Sequence, residues 1–415
     1  MRADLRYLVL LPALAPLFYY CLAIFSSWDY FHRINRFISL EPHLTPPVSI
    51  LKPVCGVDDG VYENFASMCR LDYPEYEIVF GVREADDVVV PLIEKLQREF
   101  PERAIRLIVG IEQLGASRKT NTLCRLVREA KYNLLVMNDS DVRVEKDYLR
   151  DVVAGFSDPR VGVVTSLFRS QSGAGLAGNL DAIGVPTDSS ASMLLEREFS
   201  QIDFAYGWTM AITKERLAEI GGFEARVNLH SDDFAVGNEM AASGYRVELI
   251  RNPVLMVFPE ETMVDFLRHE LRWCIQLKNL RVLGYPGMFL TMGFAWSLIV
   301  ALTVPPWKIS ASYFLSYLTL RLTLAWVVGV WGLRDHVVRS NLWLVPVRDA
   351  LNLCLFFASF FSNKVEWRGA RFRVCGKFMI PLEMRENGMQ SGRGLATGDG
   401  PNYSCASPKR RPPAE

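Results

Sequence analysis

The sequence has no excess of either charge: 46 Lys and Arg stand against 46 Asp and Glu in 415 residues. A dedicated nucleic-acid binder carries a basic surplus, so nucleic acid is not an expected partner. Nor is there a Cys-x-x-Cys pair. The eight cysteines fall singly at 21, 55, 69, 124, 274, 354, 375 and 405, a pattern that signals neither a zinc site nor a disulfide framework. Charged residues make up only 22% and hydrophobic ones 50%, which excludes a disordered chain. There is no internal repeat. What is present is a mean hydropathy of +0.11 alongside those charges, the mark of a chain that is part membrane and part soluble. The length fits one large or two ordinary domains.

The apolar residues are concentrated. From Leu5 to Trp28 the only charge is Arg6, and a spanning helix needs about 20 apolar residues. Pro12 and Pro16 inside the run are tolerated in a membrane helix. The length of the run, and Phe31-His32-Arg33 after it, favour an anchor over a cleaved signal peptide. Arg33 and Arg36 place the following segment in the cytosol. Three further runs cover residues 283–305, 310–333 and 341–361. The second contains Arg321 and the third Arg348 and Asp349, charges that in a membrane face a partner helix or a polar cavity. The third run either crosses, lies at the interface or is re-entrant. Three crossings put the tail outside, whereas Lys364, Arg368, Arg371, Arg373 and Lys377 favour the inside. From about Asn387 the chain is rich in Gly, Ser, Pro and Arg and is expected to be disordered.

The middle of the chain alternates strands and helices. Apolar strands are expected at residues 48–51, 76–80, 105–109 and 134–137, with helices at 60–70, 88–100 and 119–130 between them. That alternation implies a parallel sheet, whose ligands bind beyond the carboxyl ends of the strands. Glu84, Asp86 and Asp87 follow the second strand; Asn138-Asp139-Ser140-Asp141 follow the fourth. An Asp-x-Asp is weak evidence by itself, but two carboxylates at a strand's end can hold Mg2+ or Mn2+ together with substrate phosphates. The alternative is that they cap the next helix. Asp232 and Asp233 open a later helix, where the dipole favours them, or one serves as a general base. Residues 263–281 read as an interfacial amphipathic helix. Within it, Arg272 beside Trp273 also suits a pyrophosphate and a ring.

Taken together, these stretches resemble a known family. They are Ser49-Ile-Leu-Lys-Pro-Val-Cys-Gly-Val-Asp58, Leu71-Asp-Tyr-Pro-Glu-Tyr-Glu77, Glu84-Ala-Asp-Asp87, Lys119-Thr-Asn121, Asp139-Ser-Asp141-Val-Arg-Val144, Ser231-Asp-Asp233, Arg272-Trp273 and Trp367-Arg-Gly-Ala-Arg-Phe-Arg373. The chain resembles the membrane-bound GT-A glycosyltransferases, most closely the ceramide glucosyltransferase family (glycosyltransferase family 21), which includes hopanoid N-acetylglucosaminyltransferases. The resemblance runs from the first anchor to about Lys377. It implies an α/β GT-A (nucleotide-diphospho-sugar transferase, Rossmann-like) domain over residues 37–262. An N-terminal transmembrane helix is expected at 5–28, an interfacial helix at 263–282, a transmembrane region of about three segments at 283–363 and a basic, partly disordered tail at 364–415.

The implied reaction is an inverting, metal-dependent transfer of a hexose from a UDP-sugar, UDP-glucose first, to a lipid hydroxyl such as that of ceramide. A hopanoid acceptor with UDP-N-acetylglucosamine is the alternative, and a processive polysaccharide synthase the third. By the resemblance, Lys52, Asp87, Lys119 and Asp139 contact the UDP-sugar, and Asp139 with Asp141 holds Mg2+ or Mn2+. Asp233 is the base, and Arg272 and Trp273 complete the catalytic set. The family's Gln or Arg ahead of Arg272-Trp273 is His269 here, and its role is open. The implied partners are the UDP-sugar, a membrane lipid acceptor and the bilayer. The implied location is a multi-pass membrane protein with a cytosolic catalytic domain.

Overall fold

A computed structural model describes residues 6–36, 45–172, 175–367 and 369–382. The segment from Asn387 onward, expected to be disordered, lies outside them. Four apolar runs make the parallel half of the main sheet: β1 (Val48–Val54), β2 (Tyr76–Val82), β3 (Ala104–Val109) and β4 (Leu134–Met137). β1 pairs in parallel with both β2 and β4, and β2 with β3. β1, β2 and β4 are buried along nearly their whole length, as expected of strands covered on both faces. Alternate side chains go to opposite cores. Val48 and Ile50 pack with Phe65 of the helix Val61–Cys69 and Ile93 of the helix Val90–Glu99. Leu51 and Val79 pack with Leu123 and Leu126 of the helix Arg118–Glu129.

The short pair β5 (Val142–Arg143) and β7 (Phe168–Ser172) belongs to a second sheet, with β10 (Val254–Phe258) between them. The main sheet continues through β6 (Val161–Thr165), β8 (Met210–Thr213) and β9 (Arg246–Leu249), in the order β3-β2-β1-β4-β8-β6-β9. It is not wholly parallel, as the alternation implied: β8 runs antiparallel to both β4 and β6. β8 is entered from the preceding loop and not from a crossover helix, and the reversal delivers Trp208 and Thr209 to the end of β4. There the buried Asn138 Nδ2 donates to Trp208 O at 2.8 Å.

Three helices are long and apolar enough to cross a membrane, Leu10–Ile34, Trp307–Gly332 and His336–Ser359; a fourth candidate, Gly284–Thr291 with Gly293–Thr303, is bent by 62°. The first is not a free-standing anchor. Its Tyr20, Ala23, Tyr30 and Phe31 share a core with Leu51, Ala191 and Leu194 of the α/β domain. Within the basic segment that follows, residues 364–381 form a meander: β11 (Lys364–Trp367), β12 (Ala370–Cys375) and β13 (Phe378–Pro381). It docks on the α/β domain, where Met379 N donates to Asn228 O at 2.8 Å and His230 N to Lys377 O at 3.2 Å.

Candidate active site

The carboxyl end of the parallel half-sheet gathers most of the expected residues. Lys119 lies in the first turn of the helix Arg118–Glu129. That helix begins there because Ser117 caps it, its hydroxyl accepting from Thr120 N. Lys119 Nζ meets Asp139 Oδ1 at 2.5 Å, at the tip of β4. Asp233 stands in the first turn of the helix Asp232–Ala242. Its Oδ1 accepts from Ser231 Oγ and Phe234 N, both at 2.8 Å, leaving Oδ2 as the atom turned to the site. The three side chains surround Gly207. A Cβ on that glycine would sit 2.9 Å from Lys119 Nζ and 3.0 Å from both Asp139 Oδ2 and Asp233 Oδ2.

The electrostatics are dominated by crowded carboxylates. Asp141 is pushed up to about 7 by burial and by Asp139, with Lys52 opposing. Asp232 is raised by burial, against the pull of Lys119. Lys119 is raised above the ordinary lysine range: burial would lower it, but Asp139, Asp232 and Asp233 outweigh that. Lys52 is fully buried and lowered to about 7 by that burial. Its Nζ donates to the Asp139 carbonyl at 2.6 Å, so it braces the Asp139 turn from beneath. Two lysines thus face four carboxylates, an arrangement that attracts a further cation.

The Asp139–Asp141 turn has the chemistry of a cation site. Asp141 Oδ1 is buried with no hydrogen-bond partner, the condition a cation relieves. Among the described residues no group of three or more His, Cys, Asp or Glu could hold a metal ion. A contribution of the two carboxylates Asp139 and Asp141 would suit an ion such as Mg2+ whose other ligands come from substrate phosphates and water. The residues fit.

Asp87 lies on the neighbouring loop. Its Oδ1 accepts from Gly56 N at 3.1 Å and Val89 N at 3.0 Å, which ties the β2 loop to the β1 loop. Arg272 and Trp273 come from the helix Met263–Leu280. The Arg272 guanidinium lies 5.7 Å from the Trp273 ring and 5.6 Å from the Trp367 ring of β11. One turn on, Gln276 Nε2 donates to His230 O at 3.3 Å, three residues before Asp233. His269 Nδ1 meets the buried Asp181 at 2.8 Å, and its Nε2 accepts from Trp273 Nε1 at 2.8 Å. Gly207 and Asp181 were not singled out in the sequence. The only signal for Gly207 is a glycine between Tyr206 and Trp208, whose rings stack 3.8 Å apart.

An α/β sheet with carboxylates and a lysine converging beyond its strands, joined to long apolar helices, defines a glycosyltransferase of the Rossmann-like GT-A type. The profile of the family "Glycosyl transferase family 21" matches residues 8–378, and the chain belongs to that family. It is similar to ceramide glucosyltransferase 3 of Caenorhabditis elegans, at 25% identity over 411 residues, covering 92% of this chain and 85% of the relative. It is also similar to ceramide glucosyltransferase 1 of that organism, at 23% over 255 residues, 61% of this chain and 54% of the relative. Among solved structures it is similar to a mannosyltransferase of Pyrobaculum calidifontis in complex with GDP-Man and Mn2+. That likeness has a TM-score of 0.47 and 18% identity, and covers 82% of this chain and 99% of that one.

Proposed function

We propose that this protein is an integral membrane glycosyltransferase with a cytosolic catalytic domain, transferring glucose from UDP-glucose to the hydroxyl of a membrane lipid such as ceramide. The observation that carries the reading is the convergence of Asp139, Lys119 and Asp233 on Gly207. A nucleophile's proton acceptor and a donor's diphosphate site have to meet at one anomeric carbon. Asp233 suits the base: its Oδ1 is pinned by Ser231 and Phe234, so Oδ2 is oriented toward the space over Gly207. The lipid O–H gives its proton to Oδ2 as the new O–C1 bond forms and the C1–O bond to the diphosphate breaks. Attack opposite to departure inverts the configuration. Lys119 stabilises charge on the leaving diphosphate, and Arg272, held between the rings of Trp273 and Trp367, does so from the membrane side. Asp139 and Asp141 would hold Mg2+ or Mn2+, which when bound supplies further neutralisation of the leaving group. Asp87 fixes the loops that receive the uridine.

Membranes carrying the protein are to be incubated with radiolabelled UDP-glucose or UDP-N-acetylglucosamine and with ceramide or a hopanoid. Labelled glucosylceramide is expected, and EDTA should suppress it. Product only from UDP-N-acetylglucosamine and a hopanoid would move the acceptor assignment, and no labelled lipid from any pairing overturns the reading.

A further inference from the structure

We infer that His269 is a positioning residue: locked by Asp181 as the neutral Nδ1–H tautomer, it accepts the Trp273 indole N–H and fixes that ring on the helix that reaches the loop bearing Asp233. The inference rests on the functional reading above for what the ring is for, but not for the geometry itself. An indole nitrogen can only donate a hydrogen bond. Its 2.8 Å contact with Nε2 therefore requires a bare Nε2, so the proton sits on Nδ1, where Asp181 Oδ2 receives it at 2.8 Å. Both ring nitrogens are used, and each fixes the role of the other.

The anchor of this array is buried. Asp181 is 5% exposed, on the helix Leu176–Ala182. The element being held is not buried: Trp273 is 46% exposed. Packing alone does not restrain an indole so open to solvent, and an exposed side chain otherwise samples several rotamers. His269 and Trp273 are four residues apart on one helix face, the spacing that lets side chains touch. The next turn carries Gln276, bonded to the His230 carbonyl ahead of Asp233. The chain of contacts thus runs from a buried carboxylate through an imidazole to an exposed ring, on the element that also touches the loop bearing the proposed base. A ring presented in this way can stack on the donor sugar or lie against the lipid acceptor, and its orientation sets how either substrate is seated.

The test uses the full chain in detergent, with tryptophan replaced by 5-fluorotryptophan and the Trp273 19F resonance assigned from Trp273→Phe. His269→Asn keeps a donor near the Nδ1 position but is too short to reach the indole. His269→Gln carries one donor and one acceptor at greater reach. The Trp273 resonance is expected to shift and broaden in His269→Asn and to stay near its parent position in His269→Gln. Lipid glycosylation, measured as kcat/KM for donor and acceptor separately, should fall about tenfold in the first variant and stay within about threefold in the second. An unchanged Trp273 resonance in His269→Asn overturns the inference whatever the activity. A shifted resonance with unchanged kcat/KM overturns the positioning role. If the parent transfers no sugar to any lipid, the functional reading fails while the resonance still decides whether His269 holds the ring.

Discussion

At the scale of single residues, the site depends on a side chain that is not there. Gly207 has no Cβ, and the space a methyl group would take is bounded by Lys119 Nζ, Asp139 Oδ2 and Asp233 Oδ2. All three are tips of flexible side chains, so Gly207→Ala can be accommodated by small shifts. Stability should fall by no more than about 1 kcal/mol. Activity should fall by about a hundredfold, because displacing catalytic groups by even an ångström is costly. Thermal unfolding and lipid glycosylation of the same purified variant check both halves, and an active Gly207→Ala enzyme would remove the site from this position. Asp233→Asn keeps the shape and removes the base. It should lower kcat by a factor of about 10² to 10⁴ with little change in donor binding, measured by titration with UDP. The two variants separate geometry from proton transfer at one point in the fold.

At the scale of elements, the meander β11–β13 docks on residues 228–230, just ahead of Asp233, and that contact has a built-in sensitivity to acid. His230 Nε2 meets the Gly376 carbonyl at 3.1 Å, which requires a proton on Nε2 and is compatible with the neutral ring. Burial depresses His230 from the ordinary 6.5 to about 4. Between those values the unfolded chain binds a proton that the folded chain refuses. Stability therefore falls as pH drops through 6.5 toward 4 and levels off below, by about 1.4 kcal/mol for each pH unit in that window. Asp151, raised to about 6 mainly by burial, acts in the opposite sense, so the comparison must be with His230→Gln. The difference in unfolding free energy between parent and variant should shrink steadily from pH 7 to pH 5; a constant difference would remove His230 as the cause. This element also marks where sequence reading stops. β1, β2 and β4 were legible because strands buried on both faces are continuous apolar runs, and Asp139 and Asp141 because they follow such a run. β12 offers only Phe372 and Val374 among alternating arginines, and its order comes from docking on residues 228–230. Gly207 and Asp181 are set by contacts between segments far apart in the chain, for which local composition has no signature.

At the scale of the whole molecule, contacts at both ends of the helix His336–Ser359 bear on the conflict between three apolar runs and a basic tail. At its start, Asp335 caps the helix by accepting from Val338 N and also accepts from Ser170 N of β7 at 2.6 Å. At its end, Lys278 of the helix Met263–Leu280 donates to the Ser359 carbonyl and, at 3.1 Å, to that of Ser362, just before the meander that docks on the α/β domain. Its middle touches the same side: Arg348 meets Glu270 at 3.0 Å and the Leu180 carbonyl at 2.6 Å, while Asp349 pairs with Arg321 at 3.0 Å. A helix of 24 residues is about 36 Å long if straight and cannot cross a bilayer with both ends on one face of it. The cluster of Ala13, Trp296, Val300, Val304 and Tyr313 draws nothing from the α/β domain and is the part expected at the far side. These contacts predict a chain that descends through the bent pair 284–303, returns through the helix Trp307–Gly332 and then lies along the interface. Arg321 pairs with Asp349 and Asp188, and Arg348 with Asp188, as charges at or near a membrane need to. The prediction follows for sealed vesicles treated with an impermeant maleimide and read peptide by peptide by mass spectrometry. Cysteines introduced at the exposed Arg339 and Asn363 should label from the same side as one at Glu102 of the catalytic domain, and a cysteine at Lys308 from the opposite side. Labelling of 339 and 363 from opposite sides would make His336–Ser359 a true crossing, and would pull the meander away from the loop that carries Asp233.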